Sequence, residues 1–430
     1  MEEKKIAKIK KNNMKLYPIY KMIGLDFIFY YGIEVLFLTQ VKQIAPSDIV
    51  LASSIFAFFC IAIQVPLTAV ITKIGKRNSL VLGNSLNFIS VLCIMLAQNF
   101  GYIIIAQFIS AIGFGLKGVA ESNLLNYSMP EAKNKEDIFS SIDGKGYARY
   151  CFIAATSTLI SGFLYDINPY IPICLTLFCI LFATILSANF IDLEKIDKNT
   201  KKTKQVTMKQ TVHELKIGFK FIFQSSRLKG LLLMLGMIWG LLCLFSTYQT
   251  TLLKELQISA SVIGILLASL QILTGITSKK ATAFHNRFRN KTLSILAFCC
   301  TIGVFFAGIV VIFKIPFILQ IVIILMTYSM RASAKGVFQI IKKRYMANFA
   351  DSTILPSIYA SNIVINNVAR MMIALIGSTI LKYCSIQVSM VVAGIFFTIV
   401  VSIVSHYMKT RVGLKPEQYR KEDIQYRMIS

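Results

Sequence analysis

The sequence predicts an all-α integral membrane protein with twelve transmembrane helices in two six-helix pseudo-symmetric halves. Three observations predict it. Hydrophobic residues make up 55% of the chain and charged residues 15%, with mean hydropathy +0.65, whereas a soluble domain carries about 25% charge. Apolar runs of roughly 20 residues, the length that crosses a bilayer, recur from end to end. The first half also returns in register 214 residues later: Gln43, Ile44 and Ser47 as Gln257, Ile258 and Ser261; Lys73–Arg77 as Arg287–Lys291; Lys117 as Arg331. One offset serving three separate places marks an internal duplication.

Spans are expected near 17–40, 48–72, 79–98, 101–125, 146–165 and 170–190, then near 229–252, 261–279, 292–313, 315–335, 356–382 and 387–408. Such runs are too long for barrel strands, and helices satisfy their own backbone in lipid. The first span follows a basic stretch (Lys4 to Lys15) and lacks a small-residue cleavage site, so it reads as a retained helix rather than a signal peptide. The halves are 1–190 and 229–430. The linker 191–228 is lysine-rich, and its part from Thr207 to Phe223 has helical apolar spacing, which predicts a helix lying on the membrane face.

The net charge of +26 is not read as a nucleic-acid surface. Basic residues concentrate in the N-terminus, the 73–78 turn, the 127–145 loop, the linker, the 280–291 loop, the 336–355 segment and the C-terminus. The opposite loops hold single lysines (Lys42, Lys254, Lys314, Lys382). The positive-inside rule places both termini in the cytoplasm of a multi-pass cell-membrane protein, with attraction to anionic lipid as the partner of the excess charge. The cysteines sit within apolar spans without metal or disulfide spacing and read as small apolar residues. No phosphate-binding loop is present and His213, His285 and His406 form no triad, so neither a cofactor nor enzyme chemistry is expected.

The segment from Gln64 to Arg77, where the second span turns into the third, resembles the signature loop of the major facilitator superfamily. Gly75, Lys76 and Arg77 match it; Thr68 and Thr72 stand where the family has glycine and aspartate. The fourth span keeps the family's glycine-rich stretch (Gly113, Gly115), with Gln107 where an arginine is common. The Gly-Pro pair of drug antiporters is missing from 150–165. The resemblance implies a secondary active transporter that rocks two halves by alternating access. It also implies that spans 1, 4, 7 and 10 line the transport path; the aspartate that helps lock the two halves in the family is missing at Thr72, which puts that lock in question here.

Ionisable residues inside spans are the candidate coupling and substrate groups, because a charge at mid-bilayer costs about 2.5–3.5 kcal/mol on insertion scales. Asp26 and Glu34 in the first span are expected roughly 12 Å apart along one helix and about 80° around it. Burial in an apolar cavity disfavours the charged form of a carboxyl group, which suits proton exchange; recognition of a cationic group and a packing hydrogen bond are the other readings. Lys117 and Glu121, one turn apart, are expected to neutralise each other. Their repeat counterparts Arg331 and Lys335 would snorkel to the headgroups or add positive charge to the path. Asn362, Asn366 and Arg370 form a polar stripe that is an anion site, a counter-ion to a first-span carboxylate, or a structural seam. Tyr30, Tyr31 and Trp239 are expected to face the cavity. The expectation is proton-coupled export of a small amphipathic molecule by a monomer; transport of an anionic solute through Arg370, Lys117 and Arg331, or a non-transporting sensor, are the alternatives.

Overall fold

The structure, a computed structural model, describes residues 2–129, 135–193, 208–224, 226–288, 291–313, 315–349 and 355–411. The expected loops and linker therefore fall partly outside the described residues, at 130–134, 194–207, 289–290, 314 and 350–354. The C-terminal basic tail beyond 411 does so entirely.

The described residues are almost all helical, with short turns between the helices. In order the helices are α1 (Glu2–Gly24), α2 (Tyr30–Leu36, continued by a π turn Phe37–Val41), α3 (Pro46–Ile74), α4 (Lys76–Leu96), α5 (Phe100–Ser128), α6 (Lys135–Ile167) and α7 (Ile171–Ala188). The linker helix α8 (Met208–Gln224) follows. Then come α9 (Ser226–Glu255), α10 (Ala260–Lys279), α11 (Ala281–Phe288), α12 (Thr292–Ile312), α13 (Phe317–Phe349), α14 (Leu355–Tyr383) and α15 (Ile386–Arg411). Eleven of these are long and apolar enough to cross a membrane. The twelfth expected span is the interrupted pair α1 and α2.

The helices outrun the expected boundaries where polar sequence still favours helix. Residues 135–145, expected as loop, open α6; 336–349, expected as a cytoplasmic segment, close α13; and 281–288 form α11. Lysine, glutamate and glutamine are good helix formers, so polarity marks the membrane boundary rather than the helix end.

Two compact units emerge. The first holds Met1–Lys42, Ala62–Thr211 and Ser259–Ala268; the second holds Gln43–Ile61, Val212–Ile258 and Ser269–Ser430. Within the first, α4 packs on α5 and α7, and α1 on α6 and α7. Within the second, α12 packs on α13 and α15, and α9 on α14 and α15. The two sets of neighbours correspond helix for helix across the duplication. The correspondence reaches the backbone: Gln43 and its counterpart Gln257 both adopt φ 55°, a conformation rare for side-chain-bearing residues.

The first unit's core joins Tyr17, Tyr20, Leu67, Leu80, Leu116 and Phe190. There the Asn87 amide presses against α5 so closely that a Cβ at Gly113 would collide with its Oδ1. In the second unit α9 is the most deeply buried span.

The first span departs most from expectation. A single helix over 17–40 was expected; the chain instead unwinds from Leu25 to Phe29, and Phe29 takes φ 71°, ψ −45°. Unwinding in a bilayer needs new partners for the freed backbone. Thr176 Oγ1 of α7 lies 2.9 Å from the Ile28 carbonyl and Ser161 Oγ of α6 2.9 Å from the Phe29 carbonyl, each sharing its one proton between that carbonyl and one of its own helix, Pro172 and Ser157 respectively. The helical geometry expected between Asp26 and Glu34 therefore does not apply: Asp26 lies in the break and Glu34 in α2. The counterpart stretch in α9 is continuous, so the break belongs to one repeat only.

Candidate functional site

In the first unit three helices and the break between α1 and α2 bring ionisable residues together. Phe114, Lys117 and Glu121 follow at helical spacing on one face of α5, as do Asp143, Tyr147 and Tyr150 on α6. Tyr17 and Lys21 come from α1, and Asp26 from the break.

At the break, Asp26 Oδ1 accepts the Phe27 N–H (3.1 Å) and Oδ2 accepts the Tyr150 hydroxyl (3.1 Å); Tyr31 is a further donor to this carboxylate. Lys117, buried at 5% exposure, is the cation that interacts with Asp26, and it interacts with Glu121 as well. Its ammonium stands 4.8 Å from the Phe114 ring. That ring touches Phe27 (5.0 Å between centroids), which stacks on Tyr31 (5.8 Å). The two expected cavity tyrosines differ: Tyr30 is packed away at 2% exposure and Tyr31 is open at 46%. Glu34 is half-buried and interacts with Tyr30.

Lys117 and Glu121 interact across one turn of α5, the weaker order for such a pair, while the ion pair of Glu121 is made with Lys21 of α1. Among the described residues the ion pairs are Lys21 with Glu121 (3.6 Å) and Lys21 with Asp143. The Tyr17 hydroxyl lies 3.0 Å from Glu121 Oε1 and 2.8 Å from Asp143 Oδ1. A phenol has one proton to donate, so both contacts are hydrogen bonds only when one carboxyl group also carries a proton. Tyr17, Lys21, Asp143 and Tyr150 were not among the expected site residues. Lys21 could have been found, since it lies within the expected first span. Asp143 was hidden by its place in an expected loop.

In the second unit Arg331 does not snorkel. It is 9% exposed and donates from Nη2 to Gln249 Oε1 and from Nη1 to the Leu242 carbonyl (3.3 Å). Arg370 donates from Nε (3.1 Å) and Nη2 (2.8 Å) to Ser53 Oγ, with the Phe56 ring 5.0 Å away. Asn362 and Asn366 precede it on α14 at four-residue spacing, each with a buried Oδ1 that accepts no hydrogen bond. Trp239, on α9, lies under the Lys342 ammonium at 5.1 Å.

The signature-like turn is anchored locally. Gly75 takes φ 89°, which a side chain would strain. The Lys76 N–H donates to Asp192 Oδ2 (2.6 Å), Arg77 Nε to the Ala188 carbonyl (2.9 Å), and the Lys76 ammonium sits 3.6 Å over the Tyr127 ring. Asp192, beyond α7, supplies a carboxylate at the start of α4, a few residues from Thr72, where the family's aspartate would stand.

The family model described as Major Facilitator Superfamily matches residues 16–339. The chain belongs to the major facilitator superfamily. No curated protein matches its sequence. Among solved structures it is similar to a point mutant of the nucleoside transporter NupG (8% identity, TM-score 0.71, 92% of this chain and 99% of that one). It is also similar to a D-xylose–proton symporter (15%, 0.64, 89% and 96%) and to a POT family transporter in complex with 5-aminolevulinic acid (12%, 0.63, 94% and 95%). At these identities the likeness carries the fold. This major facilitator protein is a multi-pass secondary transporter for a small molecule rather than an enzyme.

Proposed function

We propose that this transporter couples solute movement to protons through Asp26, and that it exports a small amphipathic molecule by alternating access. The observation that carries this reading is the unwound stretch 25–29, which sets the Asp26 carboxylate among Tyr150, Tyr31 and Lys117 inside the first unit. A carboxylate at a helix break can gain or lose a proton without rebuilding a helix, because its partners are hydroxyls and a cation that turn on their own bonds.

The proton has chemically competent neighbours. When Asp26 takes it up, Lys117 loses one of the two anions that act on it and is left to Glu121. Glu121 already shares the Tyr17 hydroxyl with Asp143 and the Lys21 ammonium with the same residue. Asp26, Lys117, Glu121, Lys21 and Asp143 thus form a ladder of exchangeable charge over which proton uptake alters helix contacts. The aromatic group Phe27, Tyr31 and Phe114 beside Asp26 suits a solute with an apolar body.

The proposal extends to the setting: a monomer in the cell membrane, both termini cytoplasmic, halves 1–190 and 229–430 joined by the linker 191–228, anionic lipid against its basic face, and no nucleic-acid partner. The turn Gly75, Lys76 and Arg77 acts as a conformational hinge point held by Asp192.

The test uses proteoliposomes. A library of amphipathic compounds is screened by thermal shift, and the best stabiliser is used as solute. An imposed pH gradient is expected to drive it against its concentration in the wild type. Asp26→Asn is expected to abolish gradient-driven accumulation and to leave solute exchange at equal pH. Unchanged accumulation in Asp26→Asn ends the proton-coupling claim.

A further inference from the structure

We infer that the second unit holds a site for a singly charged oxyanion, a carboxylate, built on Arg331 and Gln249. Between residues 226 and 411 the acids are Glu255, at the end of α9, and Asp351, outside the described residues. The helices packed around Arg331 (α9, α12 and α13) carry no other carboxylate. Its titratable neighbours are Cys300, Tyr328 and Cys243, all neutral as thiol or phenol, and Lys335 follows one turn along α13. A buried guanidinium with neutral partners alone is costly, and the remedy is a counter-anion.

The donors that would hold such an anion are in place. Arg331 spends Nη2 on Gln249 and Nη1 on Leu242, while its buried Nε–H has no acceptor. Arginine only donates, so the amide atom of Gln249 that faces it must be oxygen. That orientation leaves the amide nitrogen as the outward group, and Nε2 is likewise buried without a partner. Gln249 is 1% exposed and is fixed through its backbone as well, where its carbonyl accepts the Tyr328 hydroxyl (3.3 Å). Two unfilled donors, one charged and one neutral, thus stand on side chains already joined to each other. A flat oxyanion that accepts from both suits this pair, because the edge of a guanidinium matches a carboxylate. Both donors are buried in this conformation, so an anion reaches them only when the helices around Arg331 part.

The site deepens the transporter reading, on which it rests, by giving the solute a chemical class. It is distinct from the proton ladder, which lies in the first unit. Gln249 carried no sequence signal, since amides in α9 are unremarkable until Arg331 is seen to face one.

The test is equilibrium binding by the purified full chain in detergent, with ionic strength held by chloride and no gradient, so that its failure leaves the proton reading standing. Thermal unfolding is followed with sodium benzoate, sodium phosphate and the neutral benzamide at matched concentrations. Benzoate is expected to raise Tm with concentration and benzamide to leave it unchanged. Gln249→Leu is expected to shift the half-maximal benzoate concentration at least tenfold upward, and Arg331→Met to lose the response. Arg331→Met alone should unfold no lower than the wild type, because it removes an unpaired buried charge. If Arg331→Met fails to fold, Gln249→Leu decides. Equal stabilisation by benzamide, a preference for phosphate, no benzoate effect on the wild type, a half-maximal benzoate concentration unmoved in Gln249→Leu, or a benzoate response kept in Arg331→Met each overturns the assignment.

Discussion

Lys21 is the cation that holds two buried acids, and its removal should be among the most damaging single changes in the first unit. Its side chain is 11% exposed, and those of Glu121 and Asp143 are 8% and 17%. At such burial solvent screens little, and removing one member of a buried ion pair costs about 3–5 kcal/mol because the partner charge is left behind. Lys21→Met keeps the aliphatic stem, which lies where a Cβ at Gly146 would meet Lys21 Cδ at 3.0 Å, so the substitution isolates the charge. The expected cost is about 3–5 kcal/mol, measured by unfolding in mixed micelles at rising SDS fraction. Removing the charges together should restore most of it: the triple variant Lys21→Met, Glu121→Gln, Asp143→Asn is expected within about 1–2 kcal/mol of the wild type, since buried ion groups replaced as a set are often neutral. Two results would refute the reasoning: a Lys21→Met cost below about 1 kcal/mol, the range of exposed pairs, or a triple variant no more stable than the single one.

Other expectations follow from the same geometry. Phe29, at φ 71° in the break, bears strain that costs an L-residue about 1–2 kcal/mol; Phe29→Gly should recover about 1 kcal/mol in the same assay, whereas Phe29→Ala should not. Gly162 of α6 and Gly264 of α10 meet backbone to backbone, and a Cβ at Gly162 would lie 2.5 Å from the Ala260 carbonyl oxygen. Gly162→Val should therefore cost about 1–3 kcal/mol by overpacking, and a cysteine pair at these positions should cross-link rapidly and stop transport. The chain has one tryptophan, so its fluorescence reports a single place; Lys342→Gln should shift Trp239 emission by removing the ammonium above its ring, and an unchanged spectrum would place Lys342 elsewhere.

What was legible in the sequence is what a bilayer imposes locally. Apolar runs marked the spans, and the duplication was visible because turn residues such as Gln43 and Gln257 kept their identity at one offset; the structure adds that they share a backbone angle. The break at 25–29 was not legible, because Ser161 and Thr176, whose hydroxyls donate to its freed carbonyls, lie on α6 and α7. Local composition suggested pairing Lys117 with Glu121 at helical spacing; the structure adds the ion pair of Glu121 with Lys21, a choice made by packing across helices. Snorkelling was a fair inference for Arg331 from its position near a span end, yet Gln249 captures it. Spacing along one helix is readable, whereas the partner offered by another helix is not.

The central claim is that Asp26 carries the coupled proton. The most direct measurement is proton exchange on solute binding: purified protein in weakly buffered detergent solution, a pH indicator, and the stabilising solute added at fixed temperature. The wild type is expected to release or take up protons on binding in an amount that varies with starting pH, and Asp26→Asn to bind the solute with that exchange lost. Binding by Asp26→Asn with the same proton exchange as the wild type would contradict the account.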